Sequence, residues 1–403
     1  MNDLNRKLQY RQAFTLLELL IVITIIAVLM GLSVSVMFGI VSQAEEEATT
    51  TTVRKVDALL EQRIEAFNRA FNGNRKLAAV SDIGLLLANQ DIHGVRDEVQ
   101  EILAKKALFR FEFPQRMDER RLFGDPDTIV TGIPDTIFRA VAAPNARQQL
   151  INEGNATPTD TDVTNRVISN WANHRPETES SALLHFALLA SGSFGVGAVD
   201  GDRFTINEVA DTDGDGLPEF VDAWSKPLRF YRWPTRLIDI TAPNPFVPVL
   251  SNPSDDTDTR TIVGQERELA NLLFKGLSPP PLPLPNGVIP RDMLLTDPDD
   301  PVGRLYSELE RLDGSLGTAF AVEFNEANYH TPETYHTPLI VSAGKDEALG
   351  LREPNDTDFP TGVFGNLAQL KDTDVNFPTP TPAVIDELLD NITNRNRRAG
   401  GRR

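Results

Sequence analysis

The sequence predicts an α+β protein, in which a long N-terminal helix packs on a C-terminal head with a small antiparallel sheet and a largely helical insertion lies between them. Three observations predict it. An uncharged run at 19–41 leads into an apolar stripe, Val53, Val56, Leu60, Ile64, Phe67 and Phe71, whose three- and four-residue steps are those of one helix face. The stretch from Leu77 to Asn207 reads mainly as helices and loops, with no repeat of 20 to 50 residues. The chain beyond 208 opens on a regularly spaced acidic loop, and the sheet expected there rests on a resemblance given below.

The first helix opens on Ala13-Phe14-Thr15-Leu16-Leu17-Glu18, and Glu18 is the residue that a plain anchor would not contain. A carboxylate in hydrocarbon costs several kcal/mol and marks function. The uncharged run is about 35 Å long as a helix, enough to cross a hydrocarbon core of about 30 Å. It is too long for the apolar region of a cleaved secretory peptide. Arg6, Lys7 and Arg11 against Asp3 precede it and Glu45, Glu46 and Glu47 follow it, which predicts a cytoplasmic N-terminus and an extracytoplasmic head.

This opening resembles the class III signal of type IV prepilins and type II secretion pseudopilins. The resemblance implies a prepilin peptidase that cuts between Ala13 and Phe14 and methylates the new amine. It also implies a filament in which that amine pairs with Glu18 of a neighbouring subunit, so that two buried charges offset each other on assembly. Ala13 stands where the family usually has Gly. Implied partners are the peptidase, copies of this chain, other pilin-like subunits, and an inner-membrane assembly platform. The expected divisions are a leader at 1–13, the transmembrane and stalk helix at 14–72, the insertion at 73–207, a β and calcium-loop region at 208–394, and a basic tail at 395–403.

The stalk is expected to end at Asn72-Gly73, with Asp57, Glu61, Arg63, Glu65 and Arg69 on faces other than the stripe. In the insertion, Val95 to Lys106 reads as a short charged amphipathic helix. Phe109, Phe111 and Phe113 alternate, as at the start of a strand or of a loop anchored by aromatics. Thr157 to Thr164 reads as a polar loop, and Ser180 or Ser181 as the cap of a helix running through Leu189 to Gly192. Ser193-Phe194-Gly195-Val196-Gly197 reads as a turn, since no lysine follows in phosphate-loop spacing.

The next strong motif is Asp211-Thr212-Asp213-Gly214-Asp215-Gly216-Leu217-Pro218-Glu219-Phe220-Val221-Asp222. Calcium needs six to eight oxygens. The spacing offers Asp211, Asp213, Asp215, the Leu217 carbonyl, Glu219 and Asp222, with Gly216 permitting the turn. No helical pair is expected to flank the loop, so the reading is a calcium loop without an EF-hand.

Three further segments resemble pseudopilins. Asp222-Ala223-Trp224-Ser225-Lys226-Pro227-Leu228 is similar to the family's Asp-x-Trp-Gly-x-Pro-Leu, with Ser225 in place of Gly, and opens the sheet. Ser342-Ala343-Gly344-Lys345-Asp346-Glu347 is similar to its strand and calcium-loop region, which implies Asp346 as a ligand, with Glu347 where Gly is common. Asp390-Asn391-Ile392-Thr393-Asn394 is similar to the closing tail.

Composition sets bounds. There is no cysteine, so the disulfide that clips the tail of many type IV pilins is excluded, which favours a pseudopilin. A net charge of −19 points to an extracytoplasmic or cation-binding head and argues against a nucleic-acid binder. The clusters at 255–258, 297–300, 356–358 and 372–374 lack spaced glycines and read as solvated turns. The proline-rich stretch within 278–290 reads as a polyproline II spacer. No nucleophile elbow, phosphate loop or ligand-spaced pair occurs among His93, His174, His185, His330 and His336, so no enzymatic activity is expected. The alternative to a filament subunit is an anchored calcium-binding or recognition protein that never polymerises.

Overall fold

The computed structural model describes residues 16–89, 94–123, 132–191, 203–233, 338–358, 363–368 and 391–394, together with positions 299, 371 and 387. Ala13, Phe14, His93, His330, His336, the turn at 193–197, the proline-rich stretch, the cluster at 255–258 and the basic tail lie outside the described residues. Contacts divide the chain into two compact units, 1–45 and 46–403.

Helix α1 runs from Leu16 to Ala70. In the first unit its described side chains from Leu16 to Met30 are exposed and, apart from Thr24, whose hydroxyl donates to the Leu20 carbonyl, apolar; Met37, Ile40 and Val41 are exposed too, and Ser42 to Glu45 begin the polar part of the helix. Among the described residues no helix is long and apolar enough to cross a membrane. The described apolar stretch 19–30 amounts to about 18 Å of helix.

In the second unit the α1 stripe enters the main core. Val53, Val56, Leu60, Phe67 and Phe71 are all buried there. Asp57 and Arg63 are buried as well, because each has a partner. Asn394 donates to Asp57 at 2.7 Å, and Arg63 donates to the Leu188 carbonyl at 2.9 Å. The stalk helix breaks at Gly73, as expected, and a second helix follows directly. A wide π turn, Phe71–Arg75, carries non-helical angles at Gly73 and kinks the chain into α2, Lys76–Asn89.

Helix α3, Asp97–Glu112, packs on α2 and is longer than the charged segment that suggested it. The three phenylalanines belong to this helix and its end rather than to a strand. Phe109 and Phe113, four apart, both meet Phe67, at 5.2 and 6.2 Å, while Phe111 faces Arg120. Spacing by four outweighs alternation because both rings find one partner on α1.

A 3₁₀ turn follows at Met117–Phe123, then the short α4, Asp135–Ile137, continues through a π turn into α5, Ala143–Asn152. The expected polar loop at 157–164 is mostly α6, Asp160–Trp171. Thr159 and Asp162 form a reciprocal capping box that starts it. Helix α7, Pro176–His185, begins ahead of Ser180 and Ser181, so neither serine is a cap. Both are buried in its middle. Ser181 donates to the Phe220 carbonyl, and Ser180 accepts from the Phe230 amide. A second core forms within the insertion around Ile133, Ile137, Ala146, Val163, Val167 and Leu183, and Leu217 of the acidic loop plugs into it.

Among the described residues seven short strands follow. β1, Val209–Ala210, and β2, Glu219–Phe220, are antiparallel, so the acidic loop is the loop of a hairpin. β3, Arg229–Tyr231, β4, Leu339–Ser342, and β7, Ile392–Thr393, make an antiparallel sheet in the order β3-β4-β7. β5, Thr357–Asp358, pairs with β6, Val363–Phe364. The helix content and these small antiparallel sheets are those of an α+β chain. The segment after the Asp-x-Trp turn supplies β3, and the tail segment closes the sheet as β7.

One buried charge network fastens the insertion to the sheet. Glu119 Oε1 accepts from Arg110 Nε at 3.0 Å and Arg232 Nη2 at 2.8 Å. Its Oε2 accepts from Arg232 Nη1 at 2.8 Å and the Gln115 amide at 2.7 Å. Burial acts to raise the Glu119 pKa, but Arg232 and Arg110 outweigh it and hold the carboxyl far below its ordinary range.

Candidate metal centre and N-terminal signal

The β1–β2 hairpin folds its loop around its own amides. Asp211 accepts from the Gly214 and Gly216 amides through its two oxygens, at 2.7 and 3.0 Å. Asp213 Oδ1 accepts from the Asp215 amide, and Asp215 Oδ1 from the Leu217 amide at 2.6 Å. Gly214 and Gly216 take positive φ, of 82° and 91°, which lets the loop curl this tightly. Glu219 stands at the foot of the loop on β2, with Oε2 accepting from the Thr212 amide at 2.7 Å.

Asp211, Asp213, Asp215 and Glu219 each present an oxygen within 4.8 Å of the others. Calcium–oxygen bonds are about 2.3–2.6 Å, so donors that close can share one ion. Each carboxylate oxygen has two lone pairs, and accepting one N–H leaves one for a cation. The decisive observation is Glu219 Oε1, which is buried with no hydrogen-bond partner, in a residue that is fully buried. Burial, followed by repulsion from Asp215, Asp213 and Asp211, pushes the Glu219 pKa up to about 9. Burial and like charge also raise Asp211, and burial raises Asp215 despite its contact with His174. Hard oxygen donors, an orphaned buried acceptor and concentrated negative charge fit calcium.

Two other members of the expected ligand set, Asp222 and Asp346, make other contacts. Asp222 Oδ1 accepts from the Trp224 and Lys226 amides, and its Oδ2 from Ser342 Oγ at 2.7 Å. It braces the turn into β3 and ties that turn to β4. The reason is topological: β2 begins at Glu219, which sends Asp222 past the loop rather than back into it. Leu217, expected to offer only its backbone carbonyl, directs its side chain into the insertion core, which leaves that carbonyl as an expectation. Asp346 is exposed and accepts from the Ala348 amide in a local turn, and no cluster among the described residues includes it.

Sequence reading missed the insertion's grip on the loop. His174 Nδ1 is 2.7 Å from Asp215 Oδ2, and its ring stacks on Trp171 at 3.9 Å between centroids. Burial alone would lower the His174 pKa, but the Asp215 hydrogen bond and charge outweigh it and raise the value. The Arg175 amide and Thr178 Oγ1 donate to Asp213 Oδ2, Arg175 Nη2 donates to the Thr212 carbonyl, and Asn145 donates to the Gly216 carbonyl. These residues are distant in sequence from the loop, and no local spacing pairs them with it.

Glu18 falls in the first turn of α1, and its side chain lies outside the described residues, as do Ala13 and Phe14. Residues 8–34 match the family model described as the prokaryotic N-terminal methylation motif. No curated protein and no solved structure matches the chain. The matched segment is a small part of the chain. It spans Ala13, Phe14 and Glu18, runs into α1, and marks this N-terminus as similar to a prokaryotic N-terminal methylation signal, the class III kind that pilin-like proteins carry.

Proposed function

We propose that this chain is the structural subunit of a type II secretion pseudopilus or a type IV pilus-like filament. Prepilin peptidase cuts it between Ala13 and Phe14, the new amine is methylated, and subunits polymerise through α1. The observation that carries this reading is the methylation motif at 8–34, whose residues from Leu16 onward lie in a helix of 55 residues. Before assembly the uncharged run 19–41 anchors the chain in the inner membrane as a single pass, with the head outside the cytoplasm. The lack of cysteine favours the pseudopilus. Calcium held by Asp211, Asp213, Asp215 and Glu219 orders the head, since a ligand bound only by the folded form stabilises it by mass action.

The test is intact and N-terminal peptide mass spectrometry on protein from the native membrane and from sheared surface material. A start at methylated Phe14, together with loss of filaments in Glu18→Leu while membrane anchoring survives, is the expected result. Retention of residues 1–13 throughout the population would overturn the reading in favour of a permanently anchored binding protein. The calcium element is tested separately. Alanine at Asp211, Asp213 and Asp215 should make melting insensitive to chelator, and a wild-type melting curve that ignores chelator would remove calcium from the account.

A further inference from the structure

The cation site reaches beyond its hairpin. His174, Asp213 and Asp215 form a second set of possible ligands whose donor atoms also lie within 4.8 Å of one another, and it shares Asp213 and Asp215 with the all-oxygen set. We propose that His174 is a ligand of the same centre, so that a mixed nitrogen and oxygen donor set binds a divalent transition ion of the Mn²⁺ to Zn²⁺ class in competition with Ca²⁺. This deepens the cation reading above and rests on it.

Two independent observations support a ligand here rather than a chance meeting of charges. Glu219, whose buried Oε1 lacks a partner, belongs to the oxygen set that shares Asp213 and Asp215 with His174. The imidazole, moreover, is positioned by neighbours on both sides. Trp171 stacks on one face, and the following residues are pinned to the loop through the Arg175 amide and Thr178 hydroxyl on Asp213.

The required movement is small. Two donors about 2.1 Å from one ion, at angles near 90° to 110°, stand roughly 3.0–3.4 Å apart. His174 Nδ1 and Asp215 Oδ2 are already 2.7 Å apart. An ion inserted between them replaces a hydrogen bond with a separation under about 1 Å wider. Imidazole is a borderline donor that suits zinc and its neighbours, whereas calcium is held by oxygen alone. A nitrogen supplied by the α6–α7 corner therefore alters which ion the hairpin prefers, and makes the insertion a ligand-bearing part of the head.

The experiment uses the full chain in detergent micelles, with Tb³⁺ luminescence as the calcium-like probe and Co²⁺ absorption as the transition-ion probe. Co²⁺ should displace Tb³⁺. His174→Gln should weaken Co²⁺ by about tenfold or more and shift its visible bands, while Tb³⁺ affinity stays within about threefold. An unchanged Co²⁺ affinity and spectrum in His174→Gln would overturn the proposal and leave His174 as a hydrogen-bond partner only. Tb³⁺ binding without Co²⁺ competition overturns this inference alone, and absence of both overturns the calcium reading with it. Should the variant fail to fold, electron spin-echo modulation of Mn²⁺ bound to the unsubstituted protein answers the same question. A directly bonded imidazole nitrogen is expected, and its absence would defeat the proposal.

Discussion

Two acidic sites, one fully buried and one partly, fasten the insertion to the rest of the head, and they handle charge in opposite ways. At Glu119 both oxygens are taken, and Arg110 and Arg232 supply cations from the protein itself. At the β1–β2 hairpin four carboxylates converge, no lysine or arginine makes an ion pair with them among the described residues, and Glu219 Oε1 has no partner. The same fold thus builds one self-sufficient acidic site and one that a cation from outside would complete. Glu119 explains stability, whereas the hairpin is where a ligand belongs.

The largest effect expected from breaking this comparison is at Glu119. Glu119→Ala leaves Arg110 and Arg232 buried without their counter-charge and should cost about 3–5 kcal/mol, read as a lower denaturant midpoint, with no dependence on calcium. Glu219→Gln should do the reverse. Removing an acid whose pKa burial has lifted to about 9 should stabilise the chelated protein at pH 7 by about 2–3 kcal/mol and abolish the melting increase that calcium produces. If Glu219→Gln destabilised the chelated protein instead, the hairpin would be self-sufficient after all and the contrast would collapse.

His185 shows a third way of burying an ionisable group. It lies 5.3 Å from the Phe220 ring between centroids, its Nδ1 has no partner, and burial lowers its pKa from 6.5 to about 4. The group is held neutral and needs no counter-ion. Between these values the unfolded chain takes up a proton that the folded chain refuses, so stability falls as pH drops from 6.5 towards 4. At pH 5 the loss relative to pH 7 should be about 2 kcal/mol, and His185→Phe should remove most of that slope. An unchanged slope in the variant would assign the acid sensitivity to the carboxylates instead.

How much of this was legible follows the range of the interactions. The α1 stripe could be read because one helix face repeats every three or four residues, and Val53 through Phe71 enter one core in that order. The three aspartates and Glu219 could be read because ligand spacing in a tight loop is local. Asp222 was expected in the same ligand set, yet its carboxylate braces the next turn and Ser342, which only the strand pairing decides. His174, Arg175 and Thr178 were invisible because they reach the loop across two helices. Local alternation misled at Phe109 to Phe113, and polarity misled at 157–164, where Thr159 and Asp162 start a helix.

The smallest expected effect concerns the two positions where the sheet's motifs depart from glycine. Ser225 and Glu347 take φ of 60° and 62°, so each keeps the left-handed backbone that glycine serves best. Lys226 and Glu347 form an ion pair at 2.6 Å that joins the two turns, but both are half exposed and such a pair contributes little. Relief of left-handed strain is worth about 1–2 kcal/mol, against about 0.5–1 kcal/mol of added freedom in the unfolded chain. Ser225→Gly should therefore raise stability by about 0.5 kcal/mol, and Glu347→Gly by slightly less because it also loses the pair. Neither turn contributes to the four-carboxylate cluster, so the melting increase on adding calcium should be the same as in the unsubstituted chain. A changed calcium response in Glu347→Gly would mean that the 344–347 turn communicates with the hairpin through Ser342 and Asp222, and the two regions would no longer be separable.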